Sequence, residues 1–200
     1  MKCLVILFLS LLSLASKPEG GYNLGDTVSD FKLKNVDGKM VSLSDYKSAK
    51  GFIIIFDCNT CPVSKAYTTR IIGLNKKFAS QGFPVIVINP NSAEVVKEES
   101  FQEMVKQAKS HKYDFPYLYD ESQETVKKFY PTNTPHVFVL NKVSDQLKVV
   151  FIGGIDNSAR DESKADKHFV EDAVNDLLAG RAVATPRAKT VGCSIKWKNS

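Results

Sequence analysis

An α/β domain built on a mixed sheet is what this sequence predicts, and three observations predict it. The apolar run Ile53-Ile54-Ile55-Phe56 is long enough for a buried strand, and it delivers the chain to Cys58-Asn59-Thr60-Cys61, after which apolar residues recur at helical spacing. Val85-Ile86-Val87-Ile88 is a second wholly apolar run, as expected of a parallel strand buried on both faces. Late in the chain, Val137 to Leu140 and Lys148 to Ile152 read as two strands joined closely enough to pair antiparallel. A chain of 200 residues with 43% hydrophobic and 24% charged content suits one globular domain with a sizeable core.

The chain opens with Met1-Lys2 ahead of an apolar run from Leu4 to Leu14, with small Ser13 and Ala15 in a cleavage-like arrangement. This reads as a signal peptide over residues 1–15 and predicts an exported protein, periplasmic or extracellular. The run is too short to span a bilayer, and Cys3 precedes it, unlike a lipid-modified cysteine at a cleavage point. Residues 16–21, with Pro18, Gly20 and Gly21, read as a linker, residues 22–180 as the domain, and residues 181–200 as a basic tail.

Within the domain, Phe31 to Leu43 alternates on both sides of Asp37-Gly38, a hairpin signal. The central strand follows at about 52–57. Tyr67, Ile71, Leu74 and Phe78 then share one face of a helix over about 62–80, with Pro62 in its first turn and Gly82 as its stop. Asn89-Pro90-Asn91 breaks the second apolar run, and Ser100 to Glu103 has capping-box spacing for a helix reaching about 110. An extended segment at 115–119 and a polar helix at about 122–130 come next, the latter ended by Pro131. Phe169, Ala173, Val174, Leu177 and Leu178 give the last amphipathic helix, before Gly180.

The chemistry gathers at Cys58 and Cys61. Their place at a helix N-terminus, among unpaired N–H groups and the positive end of the dipole, favours thiolate over thiol. On this reading Cys58 is the more exposed sulfur and Cys61 the more shielded. The same spacing fits half of a zinc site or two inert thiols; a closed zinc site needs four ligands, and beyond the pair there remain only Cys193 and the scattered His111, His136 and His168, so no metal is expected. Cys58, Cys61 and Cys193 are an odd set, which argues against a structural disulfide framework. The net charge of +5 is spread along the chain and forms no basic stripe, so nucleic acid is not an expected partner.

Around the pair stand auxiliary candidates, each with a plainer reading. Asp57 is a proton acceptor or a turn group, Lys65 a stabiliser of a thiolate or a solvated residue, and His136 a titrating neighbour or a side chain pointing elsewhere. In the tail, Cys193, Ile195 and Trp197 interrupt a polar segment, so the tail is expected to dock on the domain, with Cys193 as a third thiol or a small apolar residue.

The order of hairpin, strand, Cys58-x-x-Cys61, helix, strand, helix, and Thr134-Pro135 ahead of two strands and a helix resembles the thioredoxin fold. The hairpin pattern Asp30-Phe31-x-Leu33 to Asp37-Gly38-Lys39-x-Val41-x-Leu43, followed by the run at 52–56, resembles the redoxin branch, the alkyl hydroperoxide reductase/thiol-specific antioxidant proteins, over about residues 22–180. That resemblance implies a three-layer α/β/α fold with a central mixed sheet and an N-terminal hairpin. It implies that Pro135 is cis and that Thr134 offers backbone groups to a bound substrate chain. The implied activity is thiol–disulfide exchange, with Cys58 attacking, Cys61 resolving, and no cofactor beyond the redox-active pair. Substrates would be protein disulfides or hydroperoxides, with a thiol reductant or oxidant left unidentified. The chain departs from the thioredoxin pattern, which has Trp before the first cysteine and Gly-Pro between the two; here Asp57 precedes, and Asn59-Thr60 intervene. Peroxiredoxins carry a Thr-x-x-Cys-Pro-like pattern, which Cys61-Pro62 resembles with Cys58 in the threonine's place. The second reading is therefore a thiol peroxidase, with Cys61 attacking peroxide and Arg70 a candidate for holding the developing oxyanion. A third is a non-catalytic binding protein on the same scaffold.

Overall fold

The computed structural model describes residues 20–198, so the expected leader at 1–15 and most of the linker at 16–21 lie outside the described residues. Strands β1 (Lys32–Asn35) and β2 (Met40–Ser42) form the expected hairpin, and Gly38 at its turn takes φ +86°, a conformation that glycine adopts without steric cost. After β3 (Gly51–Phe56) come α1 (Pro62–Phe78), β4 (Val85–Asn89), α2 (Phe101–His111), β5 (Tyr117–Tyr119) and α3 (Glu124–Phe129). The remaining elements are β6 (Asn133–Thr134), β7 (His136–Val143), β8 (Gln146–Gly153), α4 (Phe169–Leu178) and β9 (Cys193–Ser194).

Seven strands make one mixed sheet in the order β2-β1-β5-β4-β3-β7-β8. β3 pairs parallel with β4 and antiparallel with β7, and all six of its residues are buried, which is why its sequence shows no polar alternation. Successive side chains leave on opposite faces. Ile53 and Ile55 pack with Tyr67, Ile71, Leu74 and Phe78 of α1, Met104 of α2 and Val174 of α4. Ile54 and Phe56 pack on the other side with Phe129 of α3, Phe138, Tyr22 and Phe31. Two apolar clusters thus sandwich the sheet in three layers, and each fully buried large side chain contributes about 1.5–3 kcal/mol.

Two local expectations are corrected. Ser100 precedes α2 without a side-chain cap, and Glu103 pairs with Lys106 at 2.5 Å instead of reaching back. β7 and β8 run on to a two-residue turn, Ser144-Asp145, with φ of +48° and +63°; this pair of left-handed residues lacks the glycine by which sequence announces such turns.

Residues 25–28 and 186–188, from the two outer parts of the described chain, lie along β8, the outer strand. Gly25 N–H donates to Val149 O (2.8 Å), Val149 N–H to Asp26 O (3.0 Å) and Val28 N–H to Leu147 O (2.8 Å). Further along, Ile152 N–H donates to Pro186 O (3.0 Å) and Ala188 N–H to Ile152 O (3.1 Å). The tail then crosses to the other end of the domain, where β9 pairs antiparallel with β6, Ile195 is buried, and Trp197 lies 6.1 Å from the Tyr130 ring.

Candidate active site

The C-terminal end of β3 delivers Asp57 and Cys58, the loop turns through Asn59 and Thr60, and Cys61 is the N-cap of α1 with Pro62 as the first helical residue. β6 brings Thr134 alongside, and the Thr134–Pro135 bond is cis. Cys58 Sγ lies 3.0 Å from Thr134 Oγ1 and 3.8 Å from Ser64 Oγ, while Cys61 Sγ lies 3.4 Å from the Thr134 carbonyl oxygen, to which its thiol form donates. Both cysteines are free thiols.

The expected contrast in exposure is not found: Cys58 is 1% exposed and Cys61 2%. The contrast is electrostatic, and it runs the other way. Cys61 is held down to about 4, first by the S–H of Cys58 donating to its sulfur, then by the Cys193 S–H and the backbone N–H groups of Ser64 and Cys193, against the opposing effect of burial. Cys58 is pushed far up because it is the donor in that hydrogen bond, because it is buried, and because the carboxylates of Glu99 and Asp57 oppose a second negative charge. Position contributes to the asymmetry: Cys61 stands at the N-terminus of α1, where the first-turn N–H groups lack intrahelical partners, although its sulfur makes no capping hydrogen bond.

Glu99 is the site residue that sequence reasoning missed. Wholly buried, it accepts from Asn59 N–H (2.9 Å), Thr60 N–H (3.1 Å), the Thr60 hydroxyl (2.5 Å) and the Asn89 amide (2.9 Å), so one carboxylate fixes both residues between the cysteines. Tyr117 adds its hydroxyl to Asn59 Oδ1 at 2.8 Å. No spacing pattern links Glu99 to a loop some forty positions earlier; the sole hint is an acidic pair, Glu98-Glu99, just before a helix. Asp57 is buried with Oδ1 unpartnered, and burial pushes it up to about 7.

The other candidates lie elsewhere. Lys65 is exposed on α1. Arg70 is buried in an ion pair with Asp156 at 2.6 Å, donates to Ser158 O (2.8 Å), and stacks 3.7 Å over the Tyr67 ring, so its guanidinium is committed away from the sulfurs. His136 stacks on Phe138 at 5.1 Å, accepts the Thr132 N–H at Nδ1 (3.1 Å), and is lowered to about 4 by burial, so it shapes the loop as a neutral ring instead of titrating near neutrality. Among the described residues, no three His, Cys, Asp or Glu side chains gather as a metal site requires. Cys193 is half-buried on β9 and in register with Thr134, whose carbonyl oxygen lies 3.4 Å from the Cys61 sulfur.

Two cysteines at the start of a helix, both against a cis-proline loop at the end of a mixed sheet, belong to a redox protein of the thioredoxin fold. The particular lineage is equally plain: the AhpC/TSA family model matches residues 24–149, and the chain belongs to that family. Among solved structures, an uncharacterized conserved protein from Geobacillus kaustophilus is 36% identical, with a TM-score of 0.81, and the match covers 89% of this chain and 94% of that one. A hypothetical protein from Sinorhizobium meliloti is 27% identical with a TM-score of 0.82, over 90% of this chain and 98% of its own. A peroxidoxin from Mycobacterium tuberculosis shares the fold at 19% identity and a TM-score of 0.55, over 78% of this chain and 94% of its own. No curated protein matches the chain.

Proposed function

We propose that this protein is an exported thiol–disulfide oxidoreductase in which Cys61 attacks and Cys58 resolves, the reverse of the order expected from exposure. The observation that carries the reading is the place of Cys61 at the N-terminus of α1 beside the cis-proline loop, its sulfur 3.4 Å from the Thr134 carbonyl oxygen, with its thiol held down while the neighbouring Cys58 is pushed up. Cys61 thiolate attacks one sulfur of a substrate disulfide; the S–S bond breaks, a mixed disulfide forms on Cys61, and the first substrate thiolate leaves and takes up a proton. Cys58 then loses its proton to Asp57, whose carboxylate is half-protonated near neutral pH, and attacks Cys61 Sγ. The second substrate thiol departs, the substrate gains two electrons, and Cys58–Cys61 is left as a disulfide for an external thiol reductant to reopen. The redox pair is the whole of the cofactor in this scheme.

The commitment of Arg70 to Asp156 favours disulfides over peroxides as substrates. Peroxide cleavage draws on a cation at the developing oxyanion, and Arg70 is spent on Asp156. Export rests on the leader-like pattern of residues 1–15. A paired assay on the purified protein tests the reading. Reduction of a model disulfide, abolished in Cys61→Ser, is expected, with peroxide consumption slow by comparison. Faster peroxide turnover would overturn it in favour of a peroxidase, and inertness in both assays in favour of a binding protein.

A further inference from the structure

The tail is held at two points, one on each side of the cysteines. Ile152 is bracketed by Pro186 and Ala188, and beyond the site Lys196 N–H donates to Asn91 Oδ1 (2.9 Å), Ser92 N–H to Lys196 O (2.9 Å) and Lys198 N–H to Gln123 Oε1 (2.8 Å). Between these anchors residues 190–194 cross the mouth of the dithiol. Thr190 donates to Asn133 Oδ1 (2.6 Å), and Cys193 and Ser194 pair with Thr134 and Asn133, which sets Cys193 opposite the residue whose carbonyl oxygen lies 3.4 Å from Cys61 Sγ. Gly192 passes so close that a Cβ there would lie 1.9 Å from the Thr134 carbonyl oxygen. The segment thus occupies the backbone edge beside Pro135 as an added peptide strand, with a cysteine facing the reactive sulfur. It lies outside the matched part of the family model, which ends at residue 149.

We propose that residues 190–194 are a tethered peptide substrate and that Cys193 is a third redox thiol, which closes a Cys61–Cys193 disulfide across the site. The proposal rests on the exchange chemistry above. After Cys61 has attacked a low-molecular-weight disulfide RSSR and released RSH, Cys193 attacks the Cys61 sulfur of the mixed disulfide, giving its proton to the departing RS⁻. The Cys61–SR bond breaks, Cys61–Cys193 forms, and RSSR has taken up two electrons as two RSH. Attack by Cys58 on Cys61 Sγ later frees Cys193 as a thiol and leaves Cys58–Cys61, so the clamp reopens without an outside reductant. Cys193 is in register with Thr134, whose carbonyl oxygen lies 3.4 Å from Cys61 Sγ, so little backbone movement is needed to bring the two sulfurs together.

The test uses the full chain with Cys58→Ser, treated with oxidised glutathione, quenched by alkylation and digested with trypsin without reduction. Cleavage after Lys50, Lys65, Lys189 and Lys196 isolates Cys61 in peptide 51–65 and Cys193 in peptide 190–196. The expected product is the two peptides joined. In Cys58→Ser/Cys193→Ser, Cys61 should instead keep its glutathione adduct. Adding Gly192→Val to Cys58→Ser, which leaves Cys61 and Cys193 in place but denies the segment its seat, should slow the adduct's conversion about tenfold or more through lost effective concentration. Persistence of the adduct in Cys58→Ser, or an unchanged rate with Gly192→Val, overturns the proposal. If the wild-type chain still forms Cys58–Cys61 and reduces disulfides in that case, the exchange function stands without the third thiol. If wild type forms neither bond, both readings fall.

Discussion

Replacing Cys58 by alanine removes the group that does most to hold Cys61 down, and the size of the effect follows from the site. A hydrogen bond to an ionised group is worth about 1.5–3 kcal/mol, and one pH unit corresponds to about 1.4 kcal/mol. The Cys61 midpoint should therefore move from about 4 to about 5–6 in Cys58→Ala, while the backbone N–H groups of Ser64 and Cys193 keep it below an ordinary thiol. Cys58→Ser retains an O–H donor in nearly the same place and should move the midpoint less. The assay is the ultraviolet absorbance of the thiolate as the reduced protein is titrated. Cys193, raised to about 11, stays outside the window, so a single low-pH step is read. Loss of that step in Cys61→Ala assigns it. The reasoning is refuted if the low-pH step survives in Cys61→Ala and vanishes in Cys58→Ala, or if alanine and serine at position 58 leave the midpoint unmoved.

Glu99→Ala strands two fully buried donors, the Asn59 N–H and the Asn89 amide, at about 1–3 kcal/mol each, so urea denaturation should show a loss of about 2–6 kcal/mol; a loss under about 1 kcal/mol would contradict the role given to the carboxylate. Asp57, raised in the folded state from 3.8 to about 7, favours folding while protonated, and that contribution disappears as pH climbs through about 7. Asp57→Asn should thus match wild type near pH 4 and exceed it in stability by roughly 2–4 kcal/mol above pH 7, while its second exchange step slows; equal pH–stability curves would remove the buried-acid account.

Much of the frame was legible because single stretches carried it. The unbroken apolar run at 53–56 announced a strand buried on both faces, Asp37-Gly38 a tight turn, and Pro62 a helix start one residue after Cys61. What could not be read were properties set by partners distant in sequence. Beyond the interaction of the two cysteines with each other, which sulfur holds the charge is set by burial and by Glu99 and Cys193, both far from the Cys-x-x-Cys stretch in sequence. Arg70 looks like a helix-surface residue until Asp156, 86 positions later, arrives beneath it. His136 sits one residue past Pro135, yet strand alternation sends its ring to the Phe138 side of the sheet.

The covering of β8 by residues 25–28 and 186–188 has a consequence for how the molecule behaves in company. Eight residues of edge strand would offer a ladder of unpaired backbone groups on which a second molecule could add its own strand. Residues 25–28 close one stretch of that ladder and residues 186–188 another. A chain cut short before Pro186 would lose the second seal along with Cys193 and expose Ile152 to sheet extension. Oligomers or fibrous aggregates of such a truncation would then report an uncapped edge, and the cysteine is cleanly interrogated only by point substitution.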